Sequence, residues 1–181
     1  MLLLILGVAL WWAAHLFKRV APGLRQPMGD KGKGVVALAL VASVLLMIFG
    51  YRMAEGAFFW GRHPATVGIN NLMMVAALYF TSPGPAKGAL FYRMRHPMLT
   101  GFLIWTLAHL LVNGDVPSFV LFGGLGLWAV VEMAVINRAE PGWVPPAKGA
   151  IKKDAIFLAA SLVLLFVIGM IHGFLGYQAF G

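Results

Sequence analysis

The 181-residue chain contains no cysteine. That excludes disulfides, thiolate-bound zinc or iron–sulfur clusters, and a cysteine nucleophile. Charge is also scarce, at 11% of residues, where a soluble domain carries about 25%. Acidic residues are the scarcest, six Asp+Glu against fourteen Lys+Arg, which leaves a net charge of +8. So little charge is incompatible with a soluble enzyme domain, a disordered tail or a coiled coil. What the chain has instead is apolar surface: 61% of its residues are hydrophobic and its mean hydropathy is +0.86. These residues are spread along the whole length, so a single-pass anchor is excluded too. No DNA-binding motif or nucleotide fingerprint accompanies the basic excess. Nucleic acid is therefore not the expected partner, and the excess is read as a membrane orientation signal.

Six apolar segments stand out: Met1–Phe17, Val35–Tyr51, Ala65–Phe80, Met98–Val112, Pro117–Ile136 and Ala155–Phe174. A helix needs about 20 residues to cross a hydrocarbon core of ~30 Å. The third and fourth segments are short by that measure and are expected to recruit flanking residues or thin the bilayer. The runs are continuous rather than alternating, which selects helices over barrel strands. The expected fold is all-α, a polytopic membrane bundle of about six transmembrane helices forming one domain over residues 1–181. The first segment has no basic stretch before it, and Lys18-Arg19 follows it. It is expected to be a retained span rather than a cleaved signal.

Charge then orients the spans. Loops after spans one, three and five hold Lys18, Arg19, Arg25, Lys31, Lys33, Lys87, Arg93, Arg95, Arg138, Lys148, Lys152 and Lys153. Loops after spans two and four hold only Arg52 and Arg62. The richer face is expected in the cytoplasm, with both termini facing outward. Membrane lipids are the first expected partner, and the same basic residues attract anionic ones.

Polar groups within spans are expensive and are candidates for function. They are His15, Asn70-Asn71, His109, Glu132 and His172. His63-Pro64 and His96-Pro97 stand at the starts of spans three and four, so every histidine lies in or at the membrane. Neutral imidazole binds haem iron and other transition metals. With cysteine absent, histidines on facing helices are the simplest way to hold a haem b. Arg93 and Arg95 flank the helix start at His96-Pro97 and form an anion site for a propionate, phosphate or carboxylate. The motif Arg95-His96-Pro97-x-x-x-Gly101 has an echo in Arg62-His63-Pro64-x-x-x-Gly68. By the topology above the two lie on opposite membrane faces, a weak sign of an inverted repeat and a transporter-like scaffold. Gly123, Gly124 and Gly126 are expected to permit close helix contact. Trp105 lies one turn from His109 and is placed to wall a cofactor pocket.

Span four reads RHPMLTGFLIWTLAHLLVNGD and is followed by LFGGLGLWA; span one ends in His15, and span two ends Phe49-Gly50-Tyr51-Arg52. Over nearly its whole length the chain resembles the NnrU family of bacterial membrane proteins. That resemblance implies a role in denitrification, beside a nitrite or nitric oxide reductase system. The family is similar to plant zeta-carotene isomerase, a membrane haem b enzyme, which implies His15 and His109 as haem ligands. It also implies a second possible activity, haem-dependent cis-trans isomerisation of a lipid-soluble polyene. Thr106 stands where that enzyme has a cysteine implicated in ligand switching. The R-H-P-x-x-x-G start also looks like that of isoprenylcysteine carboxyl methyltransferases, but their tyrosine-rich tail is missing from Asn137–Trp143. Depth leaves the second ligand open. His15 is two residues from the cytoplasmic end of its span, and His109 is roughly 16 Å deep at 1.5 Å per residue. His96 matches His15 better in depth and is the rival.

Overall fold

The computed structural model describes residues 1–180. It is almost wholly helical. Six main helices are labelled in chain order: α1 (Leu2–Val20), α2 (Lys31–Met53), α3 (Pro64–Thr81), α4 (Pro97–Val112), α5 (Val116–Ala139) and α6 (Ile151–Phe174). Each coincides with one of the six apolar segments. Four of them, α1, α2, α5 and α6, are long and apolar enough to cross a membrane. The other two have 18 and 16 residues. The chain is thus an all-α bundle consistent with a multi-pass membrane protein, with four helices long enough to span and two shorter ones.

The helix ends follow local chemistry. Lys18 and Arg19 lie in the last turn of α1, where their charge complements the helix dipole. Pro64 and Pro97 occupy the first turns of α3 and α4, where a missing N–H costs nothing. Asp115 caps α5 by accepting the Ser118 N–H at 2.7 Å. Just inside that helix, Phe119–Gly123 winds as a π-helical segment, a local widening that turns Phe122 inward.

Helices α1 and α2 form one antiparallel hairpin, and α3 and α4 form another. Helix α5 joins them by packing on α1 and α4, and α6 lies against α3. Glycines set the closest crossings. A methyl group on Gly101 would meet the Ala77 carbonyl oxygen at 2.6 Å and the Thr81 nitrogen at 2.8 Å. On α5, a methyl on Gly124 would meet Val8 at 2.9 Å and one on Gly126 would meet Thr106 at 2.7 Å, whereas Gly123 faces open space. Two of the three span-five glycines therefore make the close contacts expected of them. Leu4, Val8, Met47 and Leu125 form the apolar centre, ringed by Trp11, Trp12, Tyr51, Phe102 and Trp105. Outer faces stay greasy: Leu38 and Ile48 on α2, and Leu162, Val163 and Phe166 on α6, are all exposed. In a soluble protein such faces would aggregate. Around a bundle of this kind they are the lipid-facing surface.

The two ends of the bundle differ as the charge asymmetry requires. At one end the three basic loops meet. Arg19 pairs with Glu140 at 3.3 Å, Arg95 donates to the Glu140 carbonyl, and the Gly149 N–H reaches the Gly88 carbonyl at 2.9 Å. At the other end the sequence patterning missed a small element. Strands β1 (Phe58–Trp60) and β2 (Gly114–Asp115) pair antiparallel, and the Trp60 indole donates to the Leu110 carbonyl at 3.1 Å. At two or three residues each, these strands are too short to show a periodicity.

The two R-H-P-x-x-x-G motifs do different work. His63 caps its own helix, its Nδ1 accepting the Ala65 N–H at 3.3 Å. His96 does not cap; its Nε2 reaches Asn137 of α5 at 2.8 Å. Gly101 sits at a helix crossing, and Gly68 has no neighbour within 4 Å of a methyl placed on it. The echo does not extend to structure, so it gives no support to an inverted repeat.

Candidate functional site

The richest constellation lies where α1, α4 and α5 converge. Residues four apart on a helix share a face, so Trp11, His15 and Arg19 project together from α1. Trp128 and Glu132 do the same from α5, and Phe102, Trp105 and His109 line α4. The rings are continuous. His15 lies 4.3 Å from the Trp11 ring centroid and 4.4 Å from that of Trp128. Phe102 is 5.3 Å from Trp128 and 5.1 Å from Trp105. Trp105 is 5.0 Å from His109, which stacks on Phe122 at 4.6 Å. Phe122 is brought there by the π-helical segment of α5.

His15 and His109 therefore belong to one aromatic cluster but do not touch. Phe102 and Trp105 lie on the path between them, in keeping with their different depths. Their hydrogen bonding is the same. Nδ1 of His15 is 3.0 Å from the Trp11 carbonyl, and Nδ1 of His109 is 2.9 Å from the Trp105 carbonyl. A carbonyl only accepts, so each Nδ1 carries the proton and each neutral ring keeps its Nε2 lone pair. Histidines that bind metal have this arrangement: the second nitrogen is tied to a carbonyl, which fixes tautomer and ring orientation. His172 on α6 repeats it, with Nδ1 on the Ile168 carbonyl at 2.8 Å. Nothing in the sequence singled out His172, because which histidines keep an unengaged Nε2 is decided by the hydrogen bonds of the folded chain.

The rival ligand is differently engaged. His96 spends its Nε2 on the side-chain oxygen of Asn137. Only its Nδ1 is left for any other partner. Arg95 lies with its guanidinium 5.9 Å from the Trp143 ring, and Arg93 donates to the Tyr92 hydroxyl at 3.0 Å on the exposed side. Arg19, missed as a site residue, lies one turn beyond His15 on the same face of α1. It lies 3.6 Å from Glu132 and also pairs with Glu140. Its position two residues past the apolar run made it read as an orientation charge. Glu132 is buried, and its second oxygen has no partner, like the indole nitrogens of Trp11 and Trp128. Thr106 is buried as well and donates to its own helix at the Leu103 carbonyl, 2.8 Å away.

The residues present suit a haem in chemistry. Two fixed neutral imidazoles offer Nε2, broad aromatic walls suit a porphyrin, and Arg19 can meet a propionate. In the chain of ring contacts, Trp128, Phe102 and Trp105 link His15 to His109. Among the described residues, no group of three or more His, Asp or Glu side chains gathers to hold a bare metal ion.

A family model described as NnrU protein matches residues 3–179, nearly the whole chain. No curated protein and no solved structure matches.

Proposed function

This chain belongs to the NnrU family, and on that premise we propose that it binds haem b through His15 and His109 and serves nitrite and nitric oxide reduction. It is placed in the bacterial cytoplasmic membrane, with the basic loops in the cytoplasm and both termini in the periplasm. The observation that carries the cofactor reading is the shared state of the two histidines, each fixed through Nδ1 with Nε2 bare, inside one aromatic cluster. The denitrification role rests on the family resemblance.

The chain's own contributions follow from the geometry. The carbonyls of Trp11 and Trp105 hold the imidazoles as neutral donors. The rings of Trp11, Phe102, Trp105, Phe122 and Trp128 keep water from them. Arg19, balanced by Glu132 and Glu140, supplies positive charge one turn from His15. When bound, the haem supplies one-electron chemistry and a gas-binding iron. Loss of His96 leaves the iron ligands in place, because its ring serves the link between α4 and α5.

Visible spectroscopy of the detergent-purified protein, supplied with haem, tests this. The expected result is a Soret band with reduced α and β bands. It disappears in both His15→Ala and His109→Ala and survives in His96→Ala. A colourless wild-type protein overturns the cofactor reading. Survival in His15→Ala with loss in His172→Ala moves the second ligand to α6.

A further inference from the structure

The end of the bundle where the basic loops meet contains a cavity of about 430 Å³ at the start of α4. Tyr92, Arg95, His96, Met98, Leu99 and Trp143 are among the residues that line it. Its chemistry is one-sided. Arg95 is half-buried and clamped, donating to the Glu140 carbonyl and lying against Trp143. Its Nε is fully buried without a partner. Its charge has no carboxylate to meet it among the described residues, because the Glu140 carboxylate is turned to Arg19. The Tyr92 hydroxyl accepts from Arg93 and keeps its own proton to donate. Helix α4, 16 residues long, opens onto the same space with no side-chain cap, since His96 is occupied by Asn137. The N–H groups of Met98 and Leu99 therefore point out of the first turn with no acceptor among the described residues. No acidic side chain lines the cavity. A fixed arginine, a phenol and an open helix start form an anion site.

We propose that this cavity seats the phosphate of an anionic phospholipid from the adjoining leaflet, held by Arg95 and the first turn of α4. The surroundings select a lipid over a soluble anion. Most of the basic residues gather at this end, so the cavity lies at headgroup level where α4 enters the apolar layer. Met98, in the first turn of α4, lines the cavity and is exposed. It offers an apolar surface for acyl chains directly beside the phosphate seat. Basic pockets between membrane helices on the cytoplasmic side bind lipid headgroups by this combination.

The test uses the whole protein in detergent, stripped of lipid and then titrated with phosphatidylglycerol, phosphatidylcholine or inorganic phosphate. Native mass spectrometry reads the bound lipid. Wild type is expected to retain one phosphatidylglycerol in preference to phosphatidylcholine. Arg95→Gln is expected to weaken that retention about tenfold, the scale of one lost charge-assisted contact to phosphate. Arg25→Gln, an equal change of charge on the same face but away from the cavity, is expected to leave it unchanged. Leu99→Trp fills the cavity with Arg95 in place and is expected to lose the lipid as well, which covers the case of an unfolded arginine variant. Equal loss in the Arg95 and Arg25 variants, or equal retention of the two lipids, overturns the proposal. Competition by inorganic phosphate at matched concentration assigns the cavity to a soluble anion, and displacement of phosphatidylglycerol by haem assigns it to a propionate. Either result overturns the lipid. None of these readouts depends on the iron ligands, so failure here and failure of the haem reading are separate events.

Discussion

Asp154→Ala is expected to lower the melting temperature of the purified protein by about 10 °C. The carboxylate is buried in the first turn of α6 and ties three segments together. One oxygen accepts the Tyr79 hydroxyl at 2.5 Å, at the end of α3. The other accepts the Ala89 N–H at 2.6 Å, in the loop before α4. Gly88 lacks a side chain where the carboxylate sits, and a methyl group there would overlap it. Removing the carboxylate strands a buried hydroxyl and a backbone N–H, each costing about 1–3 kcal/mol. The sum, about 2–6 kcal/mol, converts to roughly 4–24 °C for a chain of this size. Tyr79→Phe removes one of the two bonds and is expected to cost less than half as much. Tryptophan fluorescence during a thermal ramp in detergent measures both. An Asp154→Ala protein that melts with the wild type would show that this knot does not hold the basic end together.

The second large effect is expected at Gly101. A single methyl there meets backbone atoms of α3, the Ala77 oxygen and the Thr81 nitrogen, and backbone cannot swing away as a side chain can. Gly101→Ala must therefore push α4 off α3. Overpacking of this kind costs about 1–3 kcal/mol, and more where two helices have to separate. Gly50→Ala is expected to do the same to the α1–α2 hairpin, because its methyl would run into the backbone at Leu3 and Leu4. Gly68→Ala is the control. It faces open space within α3, and a helix-interior alanine is favoured over glycine by up to about 1 kcal/mol. Gel filtration and thermal melting compare the three. Equal behaviour of Gly101→Ala and Gly68→Ala would refute the crossing as the reason for this glycine.

Those two glycines show how far pattern reaches. In the sequence they are the same letter in the same seven-residue motif. Only the presence of α3 beside Gly101, and of nothing beside Gly68, separates them. Asp154 is a similar case. It counts as the last residue of a polar loop until Tyr79 and Ala89 are seen to converge on it. The six helices, by contrast, were legible because long apolar runs have one stable form in a bilayer, with every backbone N–H satisfied inside its own segment.

The candidate site divides in the same way. Histidines in an apolar, cysteine-free chain were conspicuous by composition alone, and the family resemblance singled out His15 and His109. Composition could not show that three histidines keep a bare Nε2 while His63 and His96 serve helix ends and helix contacts. Nor could it show that Phe102 and Trp105 lie between the two favoured ligands, or that Arg19 and Glu132 stand beside one of them. Sequence alone determined the fold class and the charge asymmetry, because both depend on local apolar content and on which loops hold lysine and arginine. The tertiary structure alone decided which polar groups meet. That depends on helix rotation and crossing angle, which are set by close contacts such as Gly101 on α3 and Gly126 on Thr106, and not by any residue's neighbours in the chain.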